Sequence, residues 1–293
     1  MMSYRARYKA VGYLFLLPAI AVFVTFIVYP AIASLIYSLR LLSPFGDRWV
    51  FVGFSNYLEL FASARYVNSL RVTAVFVLGT VGIGLPLSLA VSLLLSKKVK
   101  GIGVYRTAFF LPLALSPAMA AVVWLFLLNP NVGYLNYLLS LVGIRGPHWR
   151  TDPTWALPAL IMVTVWKELG FNTIVFVAGL QNVSDDLYEA AEIDGARSWA
   201  RFRYITIPMI SPTIFFLFVT AIIRSFEGFG AVDMLTGGGP SQATNLLVYN
   251  LYRDAFVSFN TGLASAQAYL IFMIILAVTL VQFRVLGKRV HYQ

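Results

Sequence analysis

The chain has 293 residues, of which 59% are hydrophobic and only 12% are charged, whereas a soluble globular domain carries about 25% charged residues. Its mean hydropathy of +0.78 places it in a lipid bilayer, and the lack of cysteine excludes disulfides and thiolate-bound metals. The net charge of +10 does not indicate nucleic-acid binding, because the basic residues cluster at the ends of apolar stretches, where they orient a membrane protein.

Six stretches contain the roughly 20 mostly apolar residues that a membrane-spanning helix needs. These spans are predicted at 11–39, 70–96, 104–128, 155–181, 205–233 and 263–285. Backbone groups in lipid must be hydrogen-bonded internally, and the alternating pattern of a membrane barrel is absent, so helices are expected. The first stretch is too long for the apolar part of a signal peptide and is predicted to be retained. The sequence thus predicts an all-α polytopic membrane protein with one domain, residues 1–293.

Lysine and arginine are distributed unevenly between the two faces of such a bundle. If both termini lie on one side, that side carries thirteen basic residues: Arg5, Arg7, Lys9, Lys97, Lys98, Lys100, Arg106, Arg197, Arg201, Arg203, Arg284, Lys288 and Arg289. The other side carries six: Arg40, Arg48, Arg65, Arg145, Arg150 and Arg253. Because the cytoplasmic side carries the excess, both termini are predicted to be cytoplasmic.

Prolines interrupt most of the predicted spans. They are Pro18, Pro86, Pro112, Pro117, Pro158 and Pro212. Each removes a backbone donor and can kink its helix. Kinks tolerated through packing by neighbouring helices are the favoured interpretation, and broken helices that line a path are the alternative.

Charged side chains inside spans are costly in lipid and therefore mark candidate functional sites. The fourth span contains Lys167 and Glu168, which are adjacent and so point in different directions on a helix. The fifth contains Arg224 and Glu227, one turn apart, which can simply form a structural pair. The hypothesis is that some of these charges line a solute path. The candidate path residues are Trp166, Lys167, Glu168, Asn172, Arg224, Phe226 and Glu227.

A cationic path would suit an anionic solute. Lys167 and Arg224 can contact phosphate oxygens, and arginine can do so in a bidentate manner. Aromatic side chains near them can stack on the apolar face of a sugar or glycerol, although plain helix packing is the alternative for each one. These aromatics are Trp166, Phe171, Phe226 and Phe229.

A polar segment, 184–204, separates the fourth and fifth spans. Ser184 is predicted to cap a short helix with acidic residues in its first turn. Asp194 and Gly195 are predicted to end that helix, because glycine readily adopts a positive φ at this position. Ser198 is predicted to cap a second short helix. The result is a helix, a turn and a helix at a membrane face, although an interfacial amphipathic loop without any partner has the same composition.

This segment resembles the EAA loop of permease subunits of binding-protein-dependent ABC importers. The family pattern is EAA, three residues, glycine, nine residues and Ile-x-Leu-Pro. In this chain it is met by Glu189, Ala190, Ala191, Gly195, Ile205 and Pro208. Ile207 stands where leucine is usual. The resemblance implies the type I importer permease fold and a cytoplasmic coupling helix, including Asp194, that docks on an ATPase.

The same resemblance implies a set of partners. Two ATPase subunits, or a homodimer of one, bind ATP and Mg, so this chain needs no cofactor of its own. A second permease, expected to be non-identical, completes the path, and an external solute-binding protein delivers the solute. The implied location is the plasma (inner) membrane of a bacterium or archaeon.

Other stretches narrow the resemblance to carbohydrate-type permeases. The segment 235–240, Leu-Thr-Gly-Gly-Gly-Pro, resembles their last outer loop, and 51–57 resembles the FxGxxNY stretch after their first span. Short stretches at 111–130, 281–284 and 290–293 resemble the first permease of importers for glycerol-3-phosphate and glycerophosphodiesters. The implied solute is one of these, such as glycerophosphocholine. Importers of sugars such as trehalose or maltose share the architecture and are the alternative.

The motifs of several enzyme classes are absent. There is no G-x-x-x-x-G-K-[ST] phosphate loop and no H-E-x-x-H zinc motif, so a non-catalytic subunit without a metal site is predicted. Two other functions stay open from the residues alone. An ion-coupled secondary carrier would use Glu168, Glu227 and Asp233, although such carriers tend to have inverted repeats and more spans. A membrane scaffold would use the loop only to recruit a cytoplasmic protein.

Overall fold

The structure is a computed structural model that describes residues 4–42, 49–96 and 100–287. The stretch 290–293 lies outside these ranges. Five of the basic residues whose distribution predicts the orientation also lie outside them. These are Arg48, Lys97, Lys98, Lys288 and Arg289.

The first half of the described chain contains seven helices and one antiparallel pair of strands. The elements are α1 (Tyr4–Phe23), α2 (Tyr29–Ser38), β1 (Arg40–Leu42), β2 (Trp49–Phe51), α3 (Ser55–Ala62), α4 (Ala64–Leu95), α5 (Ile102–Ala114), α6 (Pro117–Leu127) and α7 (Tyr134–Leu141). A π-helical turn, Val24–Val28, joins α1 to α2 without a break.

In the second half of the described chain, all of the regular elements are helices. They are α8 (Pro153–Gln181), α9 (Asp185–Ile193), α10 (Ser198–Arg201), α11 (Ile207–Met209), α12 (Ser211–Phe226), α13 (Phe229–Leu235), α14 (Leu247–Tyr252) and α15 (Thr261–Val285). π-Helical turns at Phe202–Thr206 and Arg253–Val257 follow α10 and α14.

Four helical stretches of the described chain are long and apolar enough to cross a membrane without a sharp bend. They are Tyr13–Ser38, Ala64–Leu95, Pro153–Gln181 and Thr261–Val285. They coincide with the predicted first, second, fourth and sixth spans, although the second begins at residue 64 and not at 70.

The predicted third and fifth spans are each divided into two helices. Ile102–Ala114 and Met119–Leu127 meet at 108°, and Ser198–Met209 and Ser211–Phe226 meet at 67°. The described chain therefore has up to six spans if each bent pair counts as one. The apolar stretches predicted at these two places are not single helices.

Proline explains where the breaks fall. Pro117 is the first residue of α6 and Pro212 the second of α12, positions where a missing N–H costs nothing. Pro18, Pro86, Pro112 and Pro158 instead lie inside helices. The favoured interpretation, a kink tolerated through packing, thus suits these four, whereas Pro117 and Pro212 mark broken helices.

The chain forms two compact units. One comprises Met1–Ser63 and Leu251–Phe272, the other Ala64–Asn250 and Met273–Gln293. In the first unit, the buried amide of Asn56 donates to the carbonyls of Ser38 and Arg40, over 2.8 and 3.0 Å. These bonds hold α3 against the end of α2 and the start of β1.

Helix α8 is central to the second unit, where it packs against α4, α5 and α12. Its contact with α5 depends on Gly170, because a Cβ atom there would lie 2.9 Å from the carbonyl oxygen of Phe109. On another side, Phe176 belongs to a buried apolar cluster with Val81 of α4 and Leu217 of α12. This packing brings the polar middle of α8 beside α12.

Candidate functional site

An ion pair joins α8 to α12 in the second unit. Nη1 of Arg224 donates a hydrogen bond of 2.9 Å to Oε2 of Glu168. Arg224 is thus paired across helices with Glu168, and the local pairing with Glu227 that its spacing allows is not the one observed. Glu227 lies just beyond the last residue of α12 and is exposed.

Arg224 is held from a second side by an aromatic ring. Its guanidinium carbon lies 3.9 Å from the ring centroid of Phe171, a distance at which a cation is attracted to the ring face. The Arg224 and Glu168 side chains are 39% and 32% exposed. The pair is therefore neither fully buried nor freely solvated, and the ring supports Arg224 without neutralising its charge.

The larger of two cavities beside this pair has a volume of about 270 Å³. Helices α6, α8, α12 and α13 contribute to its walls. Four of the five charged residues in the predicted fourth and fifth spans line it: Lys167, Glu168, Arg224 and Glu227, but not Asp233. The cavity thus brings Lys167 and Glu168 of α8 together with Arg224 and Glu227 at the end of α12.

The smaller cavity has a volume of about 40 Å³ and lies between α4, α8 and α12. Its walls include Asn172, which is 5% exposed, and the hydroxyls of Thr80 and Ser225, which are 3.0 Å apart. Glu168 and Arg224 line this cavity as well as the larger one. Sequence reasoning missed the two hydroxyl residues, because a lone Thr or Ser in an apolar helix gives no distinguishing signal.

Three of the four aromatic candidates pack against other parts of the protein, whereas Phe171 contacts Arg224. Trp166 meets Trp124 edge-on with ring centroids 5.6 Å apart, and Phe226 packs against the buried apolar cluster. Phe229 stacks on Tyr249 at 5.9 Å. The residues that line the two cavities do not include Trp166 or Phe226, so their contacts fit helix packing.

The predicted start and end of the first loop helix are confirmed. The Ser184 hydroxyl accepts a hydrogen bond from the Asp186 amide over 3.3 Å at the start of α9. At the other end Gly195 has a φ of +74°. Its amide bonds to the Glu192 carbonyl at 3.0 Å and the next amide bonds to the Ala191 carbonyl at 2.8 Å. This is the Schellman arrangement, which needs a residue that tolerates positive φ.

The second loop helix differs from the prediction. Ser198 is its first helical residue, and the capping position belongs to Arg197, which makes no side-chain capping bond. The helix continues through the π-helical turn to Met209, so the half-buried Ile205 and Pro208 belong to it and not to the following span. The capping prediction was wrong because a serine near a helix start suits the capping position or the first helical position.

The loop presents a surface of mixed polarity. Glu189, Ala190, Asp194 and Gly195 are exposed, and Ala191 is half-buried. Two large apolar side chains accompany them: Ile193 is 87% and Trp199 72% exposed. An ion pair between Arg201 and Glu192, 2.8 Å long, ties α10 to α9. Among the described residues, no group of three or more His, Cys, Asp or Glu side chains is placed to hold a metal ion.

Residues 61–292 match the family described as "Binding-protein-dependent transport system inner membrane component". Similar full-length relatives include the sn-glycerol-3-phosphate transport system permease protein UgpA of Agrobacterium fabrum, which is 39% identical over 97% of both chains. UgpA of Yersinia enterocolitica is 37% identical over 96% of this chain and 95% of its own.

Solved structures of a bacterial transporter for the acidic polysaccharide alginate share the fold. One chain superposes with a TM-score of 0.84 and 25% identity over 96% of both chains. A second structure of an alginate ABC transporter contains an alginate pentasaccharide-bound periplasmic protein, and its chain superposes with a TM-score of 0.83 and 25% identity over 95% of this chain and 94% of its own.

Proposed function

The chain belongs to the family of binding-protein-dependent transport system inner membrane components, and we propose that the solute it passes is sn-glycerol-3-phosphate or a glycerophosphodiester such as glycerophosphocholine. As a permease of an ABC importer, it forms half of the solute path. The observation that carries the choice of solute is its similarity, over almost its whole length, to permeases named for sn-glycerol-3-phosphate transport.

The charged cavity supports an anionic solute. Lys167 and Arg224 line the same cavity, and both can donate hydrogen bonds to phosphate oxygens. Its volume of about 270 Å³ lies just below the range of roughly 300–1,000 Å³ typical of small-molecule sites. That size suits a three-carbon phosphate ester. The path includes Glu168, Asn172 and Glu227, which line the two cavities, and Trp166 and Phe226, which pack behind them.

The α9–α10 loop is the site at which ATP hydrolysis acts on this chain. Separate ATPase subunits bind ATP and Mg, and this chain is not catalytic. The loop residues that meet the ATPase are Glu189, Ala190, Ala191, Asp194, Gly195, Ile205 and Pro208. The exposed apolar side chains of Ile193 and Trp199 support this role, because large exposed apolar residues next to charges are typical of protein interfaces. The loop and both termini are cytoplasmic.

A second permease and an external solute-binding protein complete the importer. Membership of an ABC importer family favours this assembly over an ion-coupled carrier that works alone. A carrier would also need a coupling-ion site, and the acidic residue best placed for one, Glu168, is already paired with Arg224.

Reconstitution with the binding protein, the second permease and the ATPase tests the solute. We expect sn-glycerol-3-phosphate to stimulate ATP hydrolysis and uptake into proteoliposomes, and trehalose and maltose to have no effect. Stimulation by a disaccharide but not by the phosphate ester would overturn the proposed solute. Lys167→Gln should reduce phosphate-ester uptake, whereas Lys100→Gln, the same change at an exposed position, should not.

A further inference from the structure

The Glu168–Arg224 pair stands between the two cavities. Along α8, both cavities touch Thr164 and Glu168, and only the smaller one reaches Asn172, nearer the end that leads into α9. Along α12, the smaller cavity touches Ala221, and the larger one continues past Arg224 towards α13. The two cavities therefore adjoin at the ion pair, and the smaller one extends farther towards α9.

The two cavities differ in the size of the molecule that they hold. About 40 Å³ on the α9 side holds little more than a single water molecule, whose share of liquid volume is about 30 Å³. The larger cavity, about 270 Å³, holds a small organic solute. A solute that moves from the larger cavity towards the smaller one meets the Glu168–Arg224 pair, which lines both.

We infer that the Glu168–Arg224 pair is a gate selective for anions: the phosphate of the solute replaces the Glu168 carboxylate on Arg224, and this exchange parts α8 from α12. The inference rests on the proposed function, because it requires an anionic solute. It makes Glu168 a specificity-determining residue, although Glu168 carries the same charge sign as the solute.

The exchange follows from the cost of an unpaired cation in a membrane protein. An uncompensated arginine inside a span is expensive, so Arg224 releases Glu168 only when another anion takes its place. A neutral sugar offers hydroxyls but no charge and leaves the pair closed. A phosphate offers full charge and the oxygen geometry that a guanidinium binds with two parallel hydrogen bonds.

The surroundings of the pair suit such an exchange. Phe171 holds the guanidinium through its ring face at 3.9 Å, so Arg224 keeps a support that does not compete with the incoming anion. Lys167 lines the larger cavity beside Glu168 and attracts the phosphate to the side from which it must approach. The released carboxylate faces the larger cavity, which has room for water to solvate it.

The absence of cysteine from the chain permits a direct test. Ala221→Cys places a thiol on the wall of the smaller cavity, and Ala231→Cys places a matched thiol on the wall of the larger one. The full transporter, reconstituted in proteoliposomes, is treated from the side opposite α9 with a membrane-impermeant trimethylammonium methanethiosulfonate. The rate of thiol modification is measured with and without sn-glycerol-3-phosphate.

We expect the phosphate ester to accelerate modification of the Ala221→Cys variant about tenfold. This is the shift in the population of the open state that roughly one charge-assisted hydrogen bond can produce. Glu168→Gln should accelerate this modification equally in the absence of solute. Its electrostatic effect alone would be the opposite, because removing a negative charge lowers the attraction of the cationic reagent. Maltose should have no effect, and the phosphate ester should not accelerate modification of Ala231→Cys, because the solute occupies the cavity that this thiol lines. Glu168→Asp, which keeps the charge, should restore the slow rate.

An Ala221→Cys rate that Glu168→Gln leaves unchanged, in transporter that still assembles and hydrolyses ATP in response to sn-glycerol-3-phosphate, overturns the gate and leaves the proposed solute intact. Acceleration by Glu168→Gln with no response to sn-glycerol-3-phosphate, in binding or in ATP hydrolysis, overturns the proposed solute and the anion exchange together. Equal acceleration by maltose and the phosphate ester overturns the selectivity for anions.

Discussion

The membrane-embedded part and the α9–α10 loop each contain an ion pair between two helices, and the two pairs have nearly the same length. Arg224 and Glu168 are 2.9 Å apart, and Arg201 and Glu192 are 2.8 Å apart. The carboxylates differ in exposure, 74% for Glu192 and 32% for Glu168, whereas Arg201 is 26% and Arg224 39% exposed. Distance therefore does not decide what each pair contributes, whereas the access of the carboxylate to water does.

An exposed pair contributes about 0–1 kcal/mol because water and salt screen it. A pair inside a membrane bundle adds little net stability by forming but costs several kcal/mol when one partner is removed, because the remaining charge is left uncompensated. The loop pair thus adds little to the stability of the α9–α10 contact. In the membrane-embedded pair, in contrast, each charge needs the other, so a change in α8 or α12 affects both helices. Substitutions in the two regions should therefore differ in their cost.

The largest effect is expected from Arg224→Gln. It leaves Glu168 uncompensated, and we expect a loss of about 2–4 kcal/mol of stability. The double variant Glu168→Gln/Arg224→Gln should lose less than the single one, because no charge is left alone. Thermal unfolding of the purified protein in detergent measures both. A double variant as unstable as the sum of its singles would mean that the two residues are not coupled.

The next effect concerns the close approach of α8 and α5. Gly170→Ala should cost about 1–3 kcal/mol, because the added methyl would meet the backbone of Phe109. Gly82→Ala is the control: it also lies in a spanning helix, but nothing is within 4 Å of the added atom. Equal unfolding temperatures for the two variants would contradict the close contact.

Gly195 in the loop is needed because of its backbone conformation, and not because a larger side chain would clash with a neighbour. Nothing lies within 4 Å of a Cβ atom at Gly195, but its φ is +74°. Gly195→Val should therefore strain the turn by about 1–2 kcal/mol and abolish transport while membrane insertion is retained, as should deletion of 189–195. Gly195→Asn, which tolerates positive φ, should keep most activity. Normal uptake by the valine variant would remove the loop from the coupling mechanism.

The smallest effect is expected from Glu192→Gln. Loss of the exposed pair with Arg201 should change stability by less than about 1 kcal/mol, and high salt should erase the difference. The unfolding temperature at low and high ionic strength measures this. A shift as large as that of Arg224→Gln, or one that persists in high salt, would show that exposure does not separate the two pairs.

Local features of the sequence predicted much of both regions. Ser184 and Gly195 bound α9 as expected, because caps depend only on a few neighbouring residues. The positions of four spans were also confirmed, although the second begins at residue 64 and not at 70. The breaks near Pro117 and at Ile210 were not predicted, since a proline inside an apolar stretch can either kink a helix or begin a new one, and packing decides between them.

Hydropathy, the distribution of lysine and arginine, and the loop motif are all read over short distances along the chain, so they were enough to predict a helical membrane permease. The tertiary fold, in contrast, pairs Arg224 with Glu168, 56 residues away, and places four intramembrane charges on the wall of one cavity. Spacing along a helix offered Glu227 as the nearer partner. The packing of α12 on α8 brought Glu168 within hydrogen-bonding distance, and no local pattern encodes which faces of two helices meet.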